Sequence, residues 1–446
     1  MQSIRQELQM DLPPMLQYVA PKRGLGPMRR EHVLMPPQGA STIDPVSAGH
    51  LLRFRLPSSA YLDPSRTQLR FQIKASAAAR FDSLGAPGVI QRLRILIQGQ
   101  VAEDVQEYGK LSKILQLTNS DNFSRTVGGI MDGTTDSYQN LNDAAVGGAT
   151  APVAAMHQEM LAFGDKVTTS YVNYCISFNS GLLGATANDY WPLWALQDVE
   201  IEITLADPKR FLLISSDVET ALENIADTAI TTQTYSLNDC KLAIDIVHLP
   251  DQLTAGLQER LRAGNTIKLA FGTYTHTSGA ITSSDFTFNV PLSLSDVSHV
   301  WVVKQNNVAD VSNFNFSGYQ FSTAQLQIGS VLVPNTEIKS TTEALCHFVT
   351  AAGRLHNRAN VPQITEKGWT VPHAKGAYAT KHQEQFILGF DLRKYFGART
   401  LTGMPVESNM TILQTWSGTP VSQTLHAFVG HTRVLVVSAE GVAILR

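Results

Sequence analysis

The stretch Val199-Glu200-Ile201-Glu202-Ile203-Thr204-Leu205 alternates strictly between apolar and polar residues. A period of two places its apolar side chains on one face of a β-strand and its polar side chains on the other. Strands with a single buried face are typical of antiparallel sheets, because parallel sheets bury both faces and read as continuous apolar runs. Shorter alternating runs, separated by turn-forming residues, occur at 53–56, 69–74, 93–95 and 286–290. The sequence therefore predicts a mainly β protein built from antiparallel sheets.

Helical periodicity is confined to three short segments. Apolar residues spaced by three and four predict an amphipathic helix over 101–117, and three leucines on one face predict another over 251–263. Ser216, followed by Glu219, fits a capping box and predicts the start of a further helix. None of these segments alternates with strands as the helices of a βαβ fold do. We therefore expect short helices inserted between strands.

The composition limits the classes of protein that fit this chain. It has 446 residues, of which 43% are hydrophobic, so it can bury a large core. Charged residues make up only 16%, against about 25% in an average soluble domain, which favours a surface largely covered by partner chains. The net charge of −3 excludes a strongly basic nucleic-acid-binding protein, although a local basic patch is compatible with it.

Sequence features also bear on the compartment. The three cysteines form no CxxC pair and predict reduced thiols. The first residues carry charges where a signal peptide needs an apolar run. The longest apolar runs fall far short of the ~20 residues that span a bilayer. We expect a protein made in the cytosol, with no signal peptide and no transmembrane segment.

The same order of segments occurs twice along the chain. The strand at 199–205 resembles the segment 409–413, and the alternating runs of 53–74 resemble those of 266–292. The apolar strand at 93–97 is matched in the same way with the segment 300–303. Two β domains that merely share turn residues would give a similar pattern, so duplication is an inference from order and spacing.

About eight strands fall in each half, which fits a jelly-roll sandwich. The fold prediction is therefore mainly β: two consecutive eight-stranded antiparallel jelly-roll sandwiches, a double jelly roll, with short inserted helices. Residues 1–45, rich in proline, would form an extended N-terminal arm. Residues 46–262 would form the first jelly roll and residues 263–446 the second.

Motifs that would carry enzymatic chemistry are missing from the sequence. It holds no phosphate loop of the form GxxxxGK[ST], no GxGxxG, no HExxH and no GxSxG. His347, His356, His373 and His382 lie near Cys346, but their spacings match no zinc site. The sequence therefore predicts no enzyme, no cofactor and no metal site.

Ten short segments, taken in their order along the chain, carry a resemblance to a known family. They are LRILIQG at 93–99, EYGKL at 107–111, FNSGLL at 178–183, YWPL at 190–193, VEIEITL at 199–205, YSLN at 235–238, LAIDIVHL at 242–249, FILGFDL at 386–392, GMP at 403–405 and MTIL at 410–413. Together they resemble the double jelly-roll major capsid proteins of tailless double-stranded DNA viruses, of the virophage and polinton-like virus type. The resemblance spans about residues 45–446.

The resemblance implies a structural protein without enzymatic activity. It would be the major capsid protein of an icosahedral virus, self-assembling as pseudo-hexagonal homotrimers into the viral shell. Its partners would be neighbouring capsomers, together with penton and other minor capsid proteins, and its location would be the virion. A non-enzymatic β-sandwich binding protein, lectin-like or a receptor-binding spike, is the alternative that the sequence leaves open.

Four basic residues in the predicted arm form the first candidate site, namely Lys22, Arg23, Arg29 and Arg30. By their charge and by the plan of the family, they would lie on the inner surface of the shell. There the arm could contact an inner membrane or the genome. The alternative interpretation of the same segment is a solvated tail.

Aromatic and acidic residues give the other candidates. Tyr190, Trp191 and Trp194 flank a proline and predict an interface anchor, because tyrosine and tryptophan are favoured in protein interfaces. Glu200 and Glu202 share one strand face, which we expect to point to solvent rather than into a catalytic cleft.

Overall fold

The computed structural model describes most of the chain. The described residues are 29–40, 42–44, 51–76, 79–82, 84–118, 129–133, 166–167, 170–184, 189–214, 234–306, 314, 316–318, 320–353, 364, 369, 385–396, 400–406, 409–417 and 423–445.

Twelve described strands precede residue 250, and we call this part the first roll. They are β1 (Arg29–Met35), β2 (Leu51–Arg55), β3 (Tyr61–Ala75), β4 (Ala79–Phe81), β5 (Ile90–Ile97), β6 (Gln100–Gln106), β7 (Lys166–Val167), β8 (Val172–Ser177), β9 (Trp191–Pro192), β10 (Val199–Leu205), β11 (Leu212–Ile214) and β12 (Tyr235–His248).

Twelve more described strands follow residue 265, and we call this part the second roll. They are β13 (Ile267–Ile281), β14 (Asp285–Pro291), β15 (Leu294–Asn306), β16 (Phe321–Ile328), β17 (Val331–Ile338), β18 (Leu388–Asp391), β19 (Lys394–Phe396), β20 (Thr400–Thr402), β21 (Met404–Val406), β22 (Asn409–Trp416), β23 (Gln423–Ser438) and β24 (Gly441–Leu445).

Both rolls have the same strand order. In the first roll one sheet runs β1-β12-β3-β8, and the other runs β2-β10-β5-β6. In the second roll the sheets run β13-β23-β15-β18 and β14-β22-β16-β17. All these pairs are antiparallel, so each half is an eight-stranded sandwich with jelly-roll connections. The predicted double jelly roll is confirmed, and a few short strands extend or flank its sheets.

The strand order corrects the details of the predicted duplication. β10 and β22 take the same place, as expected for 199–205 and 409–413. The segment 93–97, however, lies in β5, whose counterpart is β16. The segment 300–303 lies instead in β15, the counterpart of β3. Short apolar runs look alike in every strand that faces a core, so they do not identify equivalent strands.

The first roll begins inside the segment expected to be an arm. β1 pairs with β12 from Arg29↔His248 to Met35↔Leu242 and forms the edge of a sheet. Residues 29–35 are therefore extended, but as part of the sandwich rather than as an arm free of it. Residues 1–28 lie outside the described residues. Residue 262, where the predicted first jelly roll ends, is the last residue of a helix (Asp251–Arg262) that lies between β12 and β13.

The described helices are short insertions, namely α1 (Tyr108–Thr118), α2 (Gly129–Asp132), α3 (Leu193–Leu196), α4 (Asp251–Arg262) and α5 (Thr341–Ala351). The helix predicted over 251–263 is confirmed as α4, which links the two rolls. The helix predicted over 101–117 begins only at Tyr108, because residues 100–106 pair with β5 as strand β6. The helix expected from Ser216 lies outside the described residues. Helix α5 was not predicted, although Ser340 caps it by accepting a hydrogen bond from the backbone N–H of Glu343.

A candidate assembly interface

The two rolls meet along a surface that we call the junction. The hairpin of β5 and β6, here the docking hairpin, turns tightly because Gln98 and Gly99 both have positive φ, at 52° and 76°. Its tip reaches the second roll, where the backbone N–H of Val442 donates to Gln98 Oε1 over 3.3 Å. Further along, Arg433 Nη1 donates to the carbonyl oxygen of Ala102 over 3.1 Å. The first roll thus inserts a hairpin against the second.

Glu103, on the docking hairpin, is fully buried at the junction. Its carboxylate accepts a hydrogen bond from Ser180 Oγ and from the backbone N–H groups of Gly181, at 3.0 Å, and Leu182, at 3.3 Å. Thr273 Oγ1, from the second roll, donates to it over 3.0 Å. Burial raises the pKa of Glu103, and these hydrogen bonds oppose that effect by stabilising the carboxylate. One buried side chain therefore ties a strand and a loop of the first roll to the second roll.

The loop that serves Glu103 approaches the second roll backbone to backbone. A Cβ atom on Gly181 would lie 1.8 Å from the carbonyl oxygen of Gly272 in β13. No L-residue with a side chain fits that distance, so the approach requires glycine at position 181. A Cβ on Gly272 itself would meet nothing within 4 Å.

Helix α1 fills the space beside the docking hairpin and is buried along most of its length. Its Gly109 lets the ring of Phe314, from the second roll, pack closely, since a Cβ there would lie 3.2 Å from that ring. The backbone N–H of Asn179 donates to the Tyr108 hydroxyl over 2.7 Å. The helix is therefore held by both rolls.

A line of polar side chains crosses the junction at the start of α1. Arg210 Nη1 donates to Glu107 Oε1 over 2.8 Å, and Lys110 Nζ donates to Glu107 Oε2 over 2.9 Å. Lys110 Nζ also lies 3.2 Å from His426 Nε2 in β23, and His426 Nδ1 lies 3.0 Å from His276 Nε2 in β13. Burial alone would raise the pKa of Glu107, but the charges of Lys110 and Arg210 lower it to about 2.

The second roll has a hairpin and a helix equivalent to the docking hairpin and α1, but among the described residues these elements are not packed against another roll. The hairpin of β16 and β17, here the open hairpin, takes the place of the docking hairpin in its own sheet. At its tip Val331 and Leu332 are 45% and 38% exposed. Helix α5 takes the place of α1 in chain order, yet its buried residues are only Ala344, Phe348 and Ala351. The second roll therefore presents an uncovered version of the surface that the first roll buries.

The first roll, in turn, has an uncovered version of the receiving strand. β13 contacts the docking hairpin, and β1 takes its place in the first roll. The side chains of β1 alternate between exposed and half-buried, and Leu34 is 43% exposed. Each roll thus carries one uncovered half of a junction.

The basic residues of the predicted arm have separate environments. Arg30 donates to Asp63 over 2.8 Å and to Asp245 over 2.6 Å, so its charge is compensated within the first roll. Arg29 pairs with Glu31 on the same strand. Lys22 and Arg23 lie outside the described residues. Of the four, the structure thus describes only Arg29 and Arg30, and each has an acidic partner within the first roll.

The three candidate aromatic residues also differ in burial. Tyr190 is 55% exposed, whereas Trp191 is 2% exposed and belongs to the core of the chain. Trp194 is half-buried and meets the ring of Tyr61 edge to face, with centroids 6.4 Å apart. Tyr190 is thus the aromatic side chain most open to a partner, and Trp191 acts in packing.

The expectation that Glu200 and Glu202 both face solvent is wrong for Glu202. Arg53 Nη2 donates to Glu202 Oε1 over 2.6 Å, and Arg94 Nη1 donates to its Oε2 over 3.1 Å. These arginines lie on the two strands beside β10 and cover the carboxylate, which leaves Glu202 only 6% exposed. The group is a cross-strand ion-pair cluster.

Replacing Glu202 by glutamine is expected to lower the free energy of unfolding by about 1 kcal/mol, because two partly exposed arginines lose a charged partner. Glu200→Gln is the matched control, since its carboxylate lies 4.0 Å from Arg53 and should matter little. Urea unfolding of both variants measures the difference. Equal midpoints would contradict a structural role for the cluster.

The part of the chain that the structure describes contains no metal site and no membrane-spanning helix. Within it, no group of three or more histidine, cysteine, aspartate or glutamate residues is placed to hold a metal ion. No helix there is both long and apolar enough to cross a membrane. Cys175, Cys240 and Cys346 are free thiols.

Comparisons with known proteins add to this geometry. No protein-family model matches the chain, and neither does any curated protein sequence. Solved structures match over almost its whole length. A chain of the Sputnik virophage, solved by cryo-EM, gives a TM-score of 0.60 at 12% identity, with 97% of this chain and 92% of that chain covered.

Two further solved structures also match this chain over almost its whole length. The Faustovirus major capsid protein gives a TM-score of 0.58 at 9% identity, covering 97% of this chain and 94% of its own. The mavirus major capsid protein gives 0.54 at 11% identity, covering 97% and 93%. At such identities the likeness establishes the fold, which is the double jelly roll of viral major capsid proteins.

Proposed function

We propose that this chain is a major capsid protein that self-assembles as homotrimers into an icosahedral viral shell. Its role is structural rather than enzymatic, and its location is the virion. The observation that carries the proposal is the repeated interface: the junction inside the chain has an unfilled copy of each half, one on either roll. The fold shared with viral major capsid proteins supports the same role.

The uncovered halves favour a closed ring of chains. The open hairpin and α5 lie on the second roll, and β1 lies on the first, so the two surfaces differ and join chains head to tail. Head-to-tail contacts form a ring whenever the rotation between neighbours closes. Three chains of two rolls each give six rolls, which is the six-sided outline that the resemblance implies. Neighbouring rings then tile the shell.

Further partners follow from the same proposal. Exposed Tyr190 is suited to contacts between capsomers, with half-buried Trp194 beside it. Penton and minor capsid proteins would complete the shell. Lys22, Arg23 and Arg29 remain the basic residues through which the N-terminal segment would contact an inner membrane or the genome. Arg30 is held by Asp63 and Asp245, whereas the side chain of Arg29, although paired with Glu31, is 76% exposed.

Light scattering on the purified full chain tests the proposal directly. Three chains of 48.7 kDa give about 146 kDa, and we expect that mass or larger assemblies built from it. A stable monomer at micromolar concentration would contradict self-assembly through the open hairpin.

Charging the open hairpin should break the trimer. We expect Val331→Asp combined with Leu332→Asp to give a folded monomer, because two carboxylates would have to be buried without partners in the contact between chains. Tyr171→Asp is the matched control, since Tyr171 is 37% exposed but lies near Lys74, away from the open hairpin. The control should keep the trimer mass. A trimeric double variant would show that the open hairpin is not the contact.

One feature favours the binding-protein alternative. A cavity of about 720 Å³ lies between the rolls, and Trp191, Tyr274 and Trp301 are among the residues that line it. Aromatic walls of this kind suit a small ligand. The light-scattering experiment separates the two functions, because a binding module of this type does not need to form rings.

A further inference from the structure

The line of side chains across the junction has a fixed direction of hydrogen bonding. A lysine ammonium only donates, so His426 Nε2 must accept from Lys110. The single proton of a neutral His426 ring then sits on Nδ1 and is donated to His276 Nε2. The arrangement therefore requires both imidazole rings to be neutral.

A further proton has no acceptor in this arrangement. Protonating His426 would turn its Nε2 into a donor that faces the ammonium group of Lys110. Protonating His276 on Nε2 would set two N–H groups against each other. Two stacked rings, with centroids 5.2 Å apart, would then carry positive charge beside Lys110. Each of these changes pushes the first roll away from the second or separates β13 from β23.

Among the residues that the structure describes, a single negative charge acts on the two rings. Glu107 faces the pair, but Lys110 and Arg210 already bind both of its oxygens. On β15, the strand beside β23, the charged residue Lys304 lies over the ring of Trp416. Burial is the main cause that lowers the pKa of His276 to about 4 and that of His426 to about 2. The charge of Glu107 opposes this effect at both rings, and the charge of Lys110 adds to it.

We propose that Lys110, His426 and His276 form an acid-sensitive latch that holds the two rolls together at neutral pH and opens on acidification. The latch lies within one chain, so it goes beyond the proposed function and does not depend on the oligomeric state. Its sign follows from the shifts. The folded pKa values lie below the 6.5 of a free histidine, so the stabilisation is complete above pH 6.5 and is lost as the pH falls toward about 4.

Hydrogen–deuterium exchange on the full chain at pH 7.5 and pH 5.0, corrected for intrinsic exchange rates, tests the latch. An opened histidine of pKa about 6.5 is protonated about thirtyfold over its neutral form at pH 5.0. We therefore expect opening at 108–118, 272–279 and 423–430 to rise at least about tenfold. The segment 236–244, inside the first roll, should change much less. An equal rise in all four segments would overturn the proposal.

Two variants separate the latch from general acid sensitivity. In His276→Gln combined with His426→Gln, side-chain amides replace the rings and do not titrate, so the acid-dependent opening should be lost. His299→Gln is the matched control, because His299 is also buried with a pKa lowered to about 4 but takes no part in the line. The control should keep the response. A double variant that opens with acid as the wild type does would overturn the proposal, and the wild-type exchange pattern decides it if the double variant does not fold.

Discussion

Gly181→Ala is expected to be one of the most damaging single-methyl changes in this chain. The added Cβ would lie 1.8 Å from the Gly272 carbonyl oxygen. The backbone fixes the positions of both atoms, so no rotamer change relieves the overlap. The loop at 178–183 must move away from β13, which also withdraws the backbone N–H of Gly181 from Glu103. We expect the free energy of unfolding to fall by more than about 3 kcal/mol.

Gly272, on the other side of the same backbone contact, provides the control variant. Gly272→Ala adds the same methyl group within the same close approach, but its Cβ points into open space. We expect that variant to unfold at nearly the wild-type urea concentration. If both variants unfold alike, the effect arises from β13 or from glycine in general, and not from the distance between the two backbones.

Alternation predicted the strands well because burial on one face leaves a direct trace in sequence. In β10 the apolar residues Val199, Ile201, Ile203 and Leu205 are all buried, as their spacing required. The error concerned Glu202, because the arginines that cover it come from other strands. The sequence alone shows that a polar residue lies on the outer face of a strand. It does not show which residues of the neighbouring strands pair with it.

The docking hairpin shows why local pattern misassigned a strand as a helix. Val101, Val105 and Tyr108 fit spacings of three and four, yet residues 100–106 pair with β5. The turn at Gln98-Gly99 decides in favour of a strand. Both residues have positive φ, and the turn reverses the chain immediately before residues 100–106. Tertiary pairing overrode a weak helical period.

The junction itself was largely invisible in the sequence. Its members come from positions such as 103, 181, 272 and 426, and no local spacing relates them. One signal was available: Glu103 alternates with Val101 and Val105, which places its carboxylate on the apolar face of a strand. The register places it opposite the buried Ile95, so it needs donors from elsewhere. Only the fold shows that one of those donors belongs to the second roll.

Replacing Glu103 by leucine is expected to lower the free energy of unfolding by about 4 kcal/mol or more. Leucine fills a similar volume but accepts no hydrogen bonds, so the backbone N–H of Gly181 and the hydroxyls of Ser180 and Thr273 lose the acceptor that they share. The N–H of Leu182 loses one of its two acceptors and keeps Ser180 Oγ. Each buried donor left without an acceptor costs about 1–3 kcal/mol. Because Thr273 belongs to β13, the loss also weakens the attachment of the second roll.

Glu103→Gln is expected to lower the free energy of unfolding by less than Glu103→Leu does. The glutamine amide keeps one accepting oxygen but turns the other position into a donor that faces the donors already there. We therefore expect urea midpoints in the order wild type, Glu103→Gln, Glu103→Leu. Thr273→Val removes the single hydroxyl from the second roll and should reproduce only the part of the loss that belongs to the junction. If Glu103→Leu were as stable as the wild type, the carboxylate would be a tolerated buried charge, and the rolls would be held by apolar packing alone.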